Sequence, residues 1–114
     1  MAGPAETRPR ETLFLLVCHD TPGATVLRET HLRAHLAFIE RHVARIMVAG
    51  PALDDAGAIE ASVFVLRAGD EDDARALLAR DPYFQNGVWH QVDARRFRGV
   101  CGTGIGGVTW DSVL

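Results

Sequence analysis

Three histidines recur at helical spacing in the first half of the chain. At about 100° per residue, His31, His35 and His42 fall along one stripe of a helix, together with Phe38 and close to Arg28. A histidine at the border of core and solvent can carry a proton near neutral pH, and a nearby carboxylate would fix its tautomer and increase its basicity. The stripe therefore predicts an acid/base site, although each histidine taken singly also fits a structural or surface role.

Four aspartates are candidates for that carboxylate, namely Asp20, Asp54, Asp55 and Asp81. Asp81 stands out by its position before Pro82, at the predicted end of the second helix, because a residue before proline is pushed out of helical geometry. Two helices that lie side by side would bring it near the histidine stripe. The alternative is that Asp81 is only a turn or cap residue.

The pair His31 and His35 could also share a metal ion, since side chains four residues apart project from one helix face. Further ligands would have to come from elsewhere, and Leu32 replaces the glutamate that usually follows the first histidine. The glycine-rich segment 102–107 only imitates a phosphate loop, because no predicted helix follows it whose N-terminus could hold an anion. We therefore expect neither a metal nor an organic cofactor.

Length and charge restrict the class of protein. The chain has 114 residues, which is typical of one domain, and a formal net charge of −3, which makes nucleic acid a poor partner. Its first ten residues lack the apolar region of a secretion signal, and no run of about 18 apolar residues occurs. We expect a cytoplasmic protein that binds no membrane.

Cys18 and Cys101 form no disulfide framework, so both are expected to be small core or strand residues.

The hydrophobic pattern predicts six elements in the order β-α-β-β-α-β. This split β-α-β order predicts an α+β fold in which both helices pack on one face of a four-stranded antiparallel sheet. Gly50 and Pro51 are expected to stop the second strand. The predicted elements are strands 12–18, 45–49, 59–67 and 88–100, a first helix from about Ala24 to about Ala44 with the buried stripe Leu32, Leu36, Ile39 and Val43, and a second helix from about Gly69 to about Asp81.

The other face of such a sheet would be uncovered. Strands 13–17 and 62–66 are too apolar for one covered face, and exposed apolar patches of that size rarely stay solvated. We therefore expect a homodimer joined through the sheet faces. Around the domain, residues 11–101, we expect a flexible N-terminal tail, residues 1–10, and an irregular glycine-rich extension, residues 102–114, anchored on the sheet or on a partner by Trp110.

Three segments in this order resemble the YCII-related domain family. They are Arg33–Ile39 (R-A-H-L-A-F-I), Val48–Asp54 (V-A-G-P-A-L-D), and Asp81–Tyr83 followed by Gly87–Trp89. The resemblance covers about Leu13 to Val100. It implies a ferredoxin-like fold in the dimeric α/β-barrel group, with an active site centred on a histidine and an aspartate.

Carried onto this chain, that resemblance selects His35 and Asp81 as the catalytic pair. His31 and Arg28 lie one and two turns upstream, where many relatives have a basic or polar residue that lines the same pocket. One characterised branch of the family removes chloride from chlorinated hydroxyquinols, and related folds isomerise or oxidise small ring compounds.

Together these observations predict a small acid/base enzyme, a lyase or isomerase that acts on an aromatic or carbonyl-bearing compound. His35 would shuttle the proton, Asp81 would orient it, and Arg28 or His31 would bind a substrate anion. The alternative is a non-catalytic metabolite-binding or accessory module, since one fold hosts many functions.

Overall fold

A four-stranded antiparallel sheet carries the two longer helices of the chain on one of its faces, as the sequence predicted. The computed structural model describes residues 6–110. The strand order is β2-β3-β1-β4, so the first strand is central and the second lies at an edge. The elements are β1 (Leu13–Asp20), α1 (Ala24–Arg41), β2 (Ile46–Leu53), β3 (Ile59–Arg67), α2 (Glu71–Leu78), α3 (Pro82–Gln85), β4 (Trp89–Phe97), β5 (Cys101–Gly102) and β6 (Gly107–Val108), with one 3₁₀ turn at Val43–Arg45.

The core lies between the helices and one face of this sheet. Phe14, Leu16 and Cys18 alternate along β1 toward the helices, since successive strand residues point to opposite faces. Leu16 is fully buried and is paired with Phe64 on β3 and with Ala94 on β4. This register places the polar residue Ser62 opposite Cys18, at the end of the core where the candidate site lies.

The second strand runs through Gly50 and Pro51 to Leu53, so the prediction that they stop it is wrong. The reason is topological. Because β2 is an edge strand, a residue without a backbone N–H is tolerated in its ladder.

The first helix is shorter than predicted and turned to a different face. Leu32, Leu36 and Val43 are 45%, 50% and 63% exposed, whereas Phe38 is 3% exposed and belongs to the core. Ile39 is only partly buried. Of the predicted buried stripe, only Ile39 is therefore even partly buried, and the prediction is wrong for the other three residues. Two neighbouring stripes of a helix have the same period, so the sequence pattern does not show which of them packs against the sheet.

A short third helix, α3, was not predicted. The second helix begins after Asp70, whose side chain accepts the backbone N–H of Asp73 at 2.8 Å, and it ends at Leu78. Asp81 does not close that helix. It is instead the N-cap of α3 and accepts the backbone N–H of Tyr83 at 2.9 Å.

The glycine-rich segment forms a small hairpin, β5 paired with β6, where an irregular chain was expected. Thr7 bridges to Val108 of this hairpin, so part of the predicted N-terminal tail is also paired. A Cβ on Gly107 would clash with the backbone oxygen of Glu6, and only glycine permits this approach. Residues 1–5 and 111–114 of the two predicted extensions lie outside the described residues. Trp110 is partly buried, and its contact with a partner stays a prediction.

The opposite sheet face has an apolar centre and a polar edge. Leu15, Val17 and Val63 are partly buried there, on the side of the sheet away from the helices. At its rim, Nε2 of His19 lies 2.8 Å from Oδ2 of Asp93. Within residues 6–110, no helix is long and apolar enough to cross a membrane.

Candidate active site

His35 and Asp81 are in direct contact, across the gap between α1 and the start of α3. Nδ1 of His35 lies 2.8 Å from Oδ1 and 2.9 Å from Oδ2 of the carboxylate. The Asp81 side chain is fully buried, and that of His35 is 14% exposed. A carboxylate buried in this way requires donors, and it receives one from the imidazole and one from the backbone N–H of Tyr83.

The phenol ring of Tyr83 packs against the flat face of the His35 imidazole. The two rings are stacked, with 3.8 Å between centroids and 3° between planes. Tyr83 is itself fixed at its far end, because its hydroxyl donates to the backbone oxygen of Arg28 at 3.1 Å. Burial raises the pKa of the Tyr83 phenol, so the hydroxyl stays a neutral donor at physiological pH. The ring also meets Trp89 edge to face, with 5.9 Å between centroids and 86° between planes.

Arg28 forms the second polar group of the site. Its Nε and Nη2 donate to the two carboxylate oxygens of Asp20, at 2.9 Å and 2.7 Å, and Nη2 also donates to Oγ of Ser62 at 2.9 Å. The side chains of Arg28 and Asp20 are 12% and 11% exposed, so this bidentate pair is largely desolvated. The guanidinium carbon also lies 5.4 Å from the centre of the Tyr83 ring.

Cys18 lies on β1 beside these groups and is fully buried. Burial, reinforced by the negative charge of Asp81, raises the pKa of its thiol to about 12. A thiol with such a pKa carries almost no thiolate at neutral pH. It is therefore a core residue here, as predicted, and no nucleophile.

A cavity of about 700 Å³ opens beside these residues, between α1 and the strands β2 and β3. Its volume is in the range of small-molecule sites, and its walls are mostly apolar, with a few polar groups. The leucines of the wrongly predicted stripe belong to its wall, which explains why they are exposed. The polar side chains are Thr25, Arg28, Glu29, His35, Ser62 and Tyr83, and the apolar ones include Leu32, Leu36, Ile39, Pro51, Ile59 and Phe64.

The structure brings together three of the four predicted site residues, namely His35, Asp81 and Arg28. His31 is partly buried on α1 but does not line the cavity, and its side chain makes no hydrogen bond to any described residue. Within residues 6–110 there is no cluster of three potential metal ligands that includes His31 and His35.

Three further residues of the site were not assigned there from the sequence, and one of them, Tyr83, was noted only as part of the Asp81–Tyr83 segment. Asp20 was considered as a partner for histidine, but it binds Arg28. Ser62 was passed over within a strand, although a polar residue in an apolar run is a signal that could have identified it. Asp54 instead accepts two backbone N–H groups in the turn after β2.

The YCII-related domain model matches residues 12–98. The chain belongs to the YCII-related domain family. The resemblance in the three sequence segments is thereby confirmed, and the segments fall on α1, on β2 and at the start of α3 of the family fold. Comparison of this YCII-related protein with curated proteins gives no match.

A solved structure similar to this YCII-related protein is 5-chloro-2-hydroxyhydroquinone dehydrochlorinase from Burkholderia phenoliruptrix AC1100, in complex with 2,5-dihydroxybenzoquinone. The two chains are 28% identical, with a TM-score of 0.68, and the alignment covers 80% of this chain and 96% of the other. The fold is therefore that of the dimeric α/β barrels, as predicted.

Proposed function

We propose that this protein is a small-molecule lyase or isomerase in which His35 and Asp81 act as an acid/base dyad. The observation that carries the proposal is the contact of the two side chains, with His35 at the wall of a cavity of about 700 Å³. A carboxylate accepts and cannot donate, so Nδ1 of the imidazole carries the proton of this contact. The lone pair of the neutral ring is then on Nε2.

The Nε2 atom of His35 is available to accept a proton from a substrate. Nε2 of His35 has no hydrogen-bond partner among residues 6–110, and the side chain borders the cavity. A base at this position accepts a proton from the substrate while Asp81 stabilises the imidazolium that forms. In a lyase reaction the imidazolium then returns the proton to a leaving group. In an isomerase reaction it returns the proton to another carbon.

The substrate that fits is a small, largely apolar compound with few polar substituents. The cavity wall combines aliphatic side chains of α1 with Phe64 and Pro51 of the sheet. Such a lining favours an aromatic or carbonyl-bearing metabolite over a sugar or a phosphate ester. The similarity to a dehydrochlorinase that binds a dihydroxybenzoquinone supports the same class. We propose no cofactor for this chemistry.

We also propose that the protein works as a homodimer in the cytoplasm, without nucleic acid or membrane partners. The open sheet face supports the dimer, because an apolar centre around Leu15, Val17 and Val63 with a polar rim at His19 and Asp93 is the usual anatomy of an interface. Sedimentation at micromolar concentration tests it. A monomer throughout that range would refute this part of the proposal.

The decisive experiment is turnover of 5-chloro-2-hydroxyhydroquinone, followed by chloride release under anaerobic conditions. We expect His35→Ala to lower kcat about 100-fold or more, the usual contribution of a positioned acid/base group. His90→Ala is the matched control, because His90 is an exposed histidine on β4.

If this compound is not turned over, a thermal-shift screen of small phenols, quinones and lactones identifies the ligand class by its stabilisation of the native state. Ligands that stabilise wild type and are left chemically unchanged would show the alternative, a binding module. Equal turnover by wild type and His35→Ala would refute the dyad.

A further inference from the structure

We infer that Arg28 and Ser62 together form a site for a substrate oxygen that becomes negatively charged during the reaction. Both side chains border the cavity of His35, and Nη2 of Arg28 donates to Oγ of Ser62 at 2.9 Å. The substrates are accordingly compounds whose deprotonation places charge on oxygen: enols, phenols and hydroxyquinones. This inference rests on the proposed function and adds the substrate class to it.

The first argument is the hydrogen-bond count of Arg28. A guanidinium has five N–H donors, and three of them are occupied, two by Asp20 and one by Ser62. The bonds to Asp20 and Ser62 use only Nε and Nη2, and the Tyr83 hydroxyl is the one further side-chain acceptor near the guanidinium among the described residues. A hydroxyl oxygen that takes one N–H of Nη1 leaves the other available to a ligand in the cavity that Arg28 lines.

The second argument is the direction of the bond to Ser62. Oγ accepts from Nη2, so the hydroxyl proton of Ser62 remains available for donation. Within residues 6–110, no acceptor for that proton is found. Ser62 is 6% exposed and lines the cavity, so a substrate oxygen is the acceptor that this hydroxyl can meet.

The third argument is the role of Asp20. It holds Arg28 at two atoms and neutralises its charge at rest. Donors that are fixed before the reaction stabilise charge that develops in the transition state, because they need not reorient as the charge appears. Nη1 of Arg28 and Oγ of Ser62 have this character, with Asp20 as the positioning residue.

The positions of Arg28 and His35 also allow a single substrate molecule to contact both side chains. Arg28 and His35 lie seven residues apart on α1, about 10 Å along the helix axis, and Tyr83 contacts both of them. A small compound between them presents one hydrogen to Nε2 of His35 and an oxygen to Arg28. The proton of a C–H bond next to a carbonyl group passes to Nε2, the electron pair of that bond forms a carbon–carbon double bond, and the carbonyl π pair moves onto the substrate oxygen. When the oxygen pair reforms the carbonyl, the electrons of the carbon–carbon double bond either expel a leaving group such as chloride from the neighbouring carbon or take the proton back at another carbon of a conjugated system.

The test is a binding measurement, so that it does not depend on turnover. The probes are 2,5-dihydroxybenzoquinone, whose enolic oxygens are ionised at neutral pH, and hydroquinone, which has a similar ring with neutral hydroxyls. We expect wild type to prefer the first probe. Ser62→Ala and Arg28→Lys should each reduce that preference about tenfold, which corresponds to one charge-assisted hydrogen bond. Thr30→Ala, which removes an exposed hydroxyl on the same helix, should not change it.

Two controls separate binding from folding. Ser62→Thr keeps the hydroxyl and should keep the preference, whereas Ser62→Cys keeps the size but donates weakly and should lose it, even if Ser62→Ala does not fold. Equal weakening of both probes, or no change in either, would overturn the inference. The proposed dyad fails by a different result, namely unchanged turnover in His35→Ala, a variant that should retain the preference for the ionised probe.

Discussion

The imidazole of His35 lies parallel to the phenol ring of Tyr83, 3.8 Å away, and the backbone N–H of that same tyrosine donates to the carboxylate that holds the imidazole. Tyr83 thus sets both the plane of the histidine and the position of Asp81. Ring orientation in the proposed dyad is therefore a property of the short helix α3.

Tyr83→Leu should lower kcat about 100-fold, because a misplacement of about 1 Å in the reacting groups has that effect. Tyr83→Phe keeps the stacked ring and loses only the hydrogen bond to the backbone of Arg28. We expect it to retain most of the activity and to lose about 1 kcal/mol of stability. Chloride release and urea denaturation of both variants check this. Equal activity in the two variants would show that the ring does not orient His35.

Asp81→Asn should lower kcat about 100-fold or more with little loss of stability. Asparagine caps a helix as well as aspartate does, so α3 should keep its first turn. The amide no longer enforces a proton on Nδ1 of His35, and the ring nitrogen resonances in NMR report which tautomer is present. An unchanged tautomer with unchanged activity would reduce Asp81 to a cap residue.

Phe38→Ala and Leu36→Ala separate the two faces of α1. Phe38 is 3% exposed in the core, so its truncation should cost about 3–5 kcal/mol in the free energy of unfolding. Leu36 is 50% exposed at the cavity wall, and its truncation should cost less than about 1 kcal/mol while weakening ligand binding. Denaturant melts decide between them. The reverse order would restore the orientation predicted from the sequence.

The two cysteines should differ in reactivity. Cys101 is exposed on β5, whereas burial raises the pKa of Cys18 to about 12. A thiol reagent at pH 8 should therefore modify one cysteine in the native protein and two after unfolding, since the thiolate is the reactive form. Cys101→Ser should abolish the native reaction. Rapid native labelling of that variant would mean that Cys18 is accessible.

Stability should fall with acid partly because of Asp73. Hydrogen bonds from the backbone N–H of Gly69 and from Arg45 hold the pKa of this carboxyl below its usual value. A depressed folded-state pKa stabilises the native state above the unfolded value, about 3.9, and this contribution disappears as pH falls through the folded value. Asp73→Asn should therefore be less stable than wild type at pH 7, and the difference should vanish at the lowest pH.

The control for that prediction is Asp72→Asn, which removes the same charge from the first turn of α2 at an exposed neighbour. Any loss of stability that both variants share arises from the interaction of the removed charge with the helix dipole. A pH-independent difference between wild type and Asp73→Asn would contradict the role of its ionisation.

Strands β1 and β3 could be predicted closely because alternation and turn residues are local signals. Strand β3 was predicted at the residues it occupies, and β1 within two residues at its end. The rotation of α1 could not be predicted in the same way. Leu36 and Phe38 have comparable hydrophobicity, and the choice between their stripes depends on the cavity and on Tyr83, which comes from the second half of the chain.

For the site, too, local sequence strings predicted some contacts, whereas others depend on the tertiary fold. The family strings identified His35 and Asp81 as a pair, and these side chains are in contact. The contact of Arg28 with Ser62 depends on the register that places Ser62 opposite Cys18 on the central strand, and no local pattern encodes such a register.

The edge-to-face contact of Trp89 with Tyr83 has an optical consequence. The Nε1 atom of this buried indole has no partner within residues 6–110, so its fluorescence should lie to the blue of a hydrated tryptophan. Its neighbour is the ring against which His35 stacks, only 5.9 Å away between centroids. A quinone in the cavity absorbs at longer wavelength than the indole and should quench this emission by energy transfer. Occupancy of the cavity can then be read from the unlabelled protein, one titration point at a time.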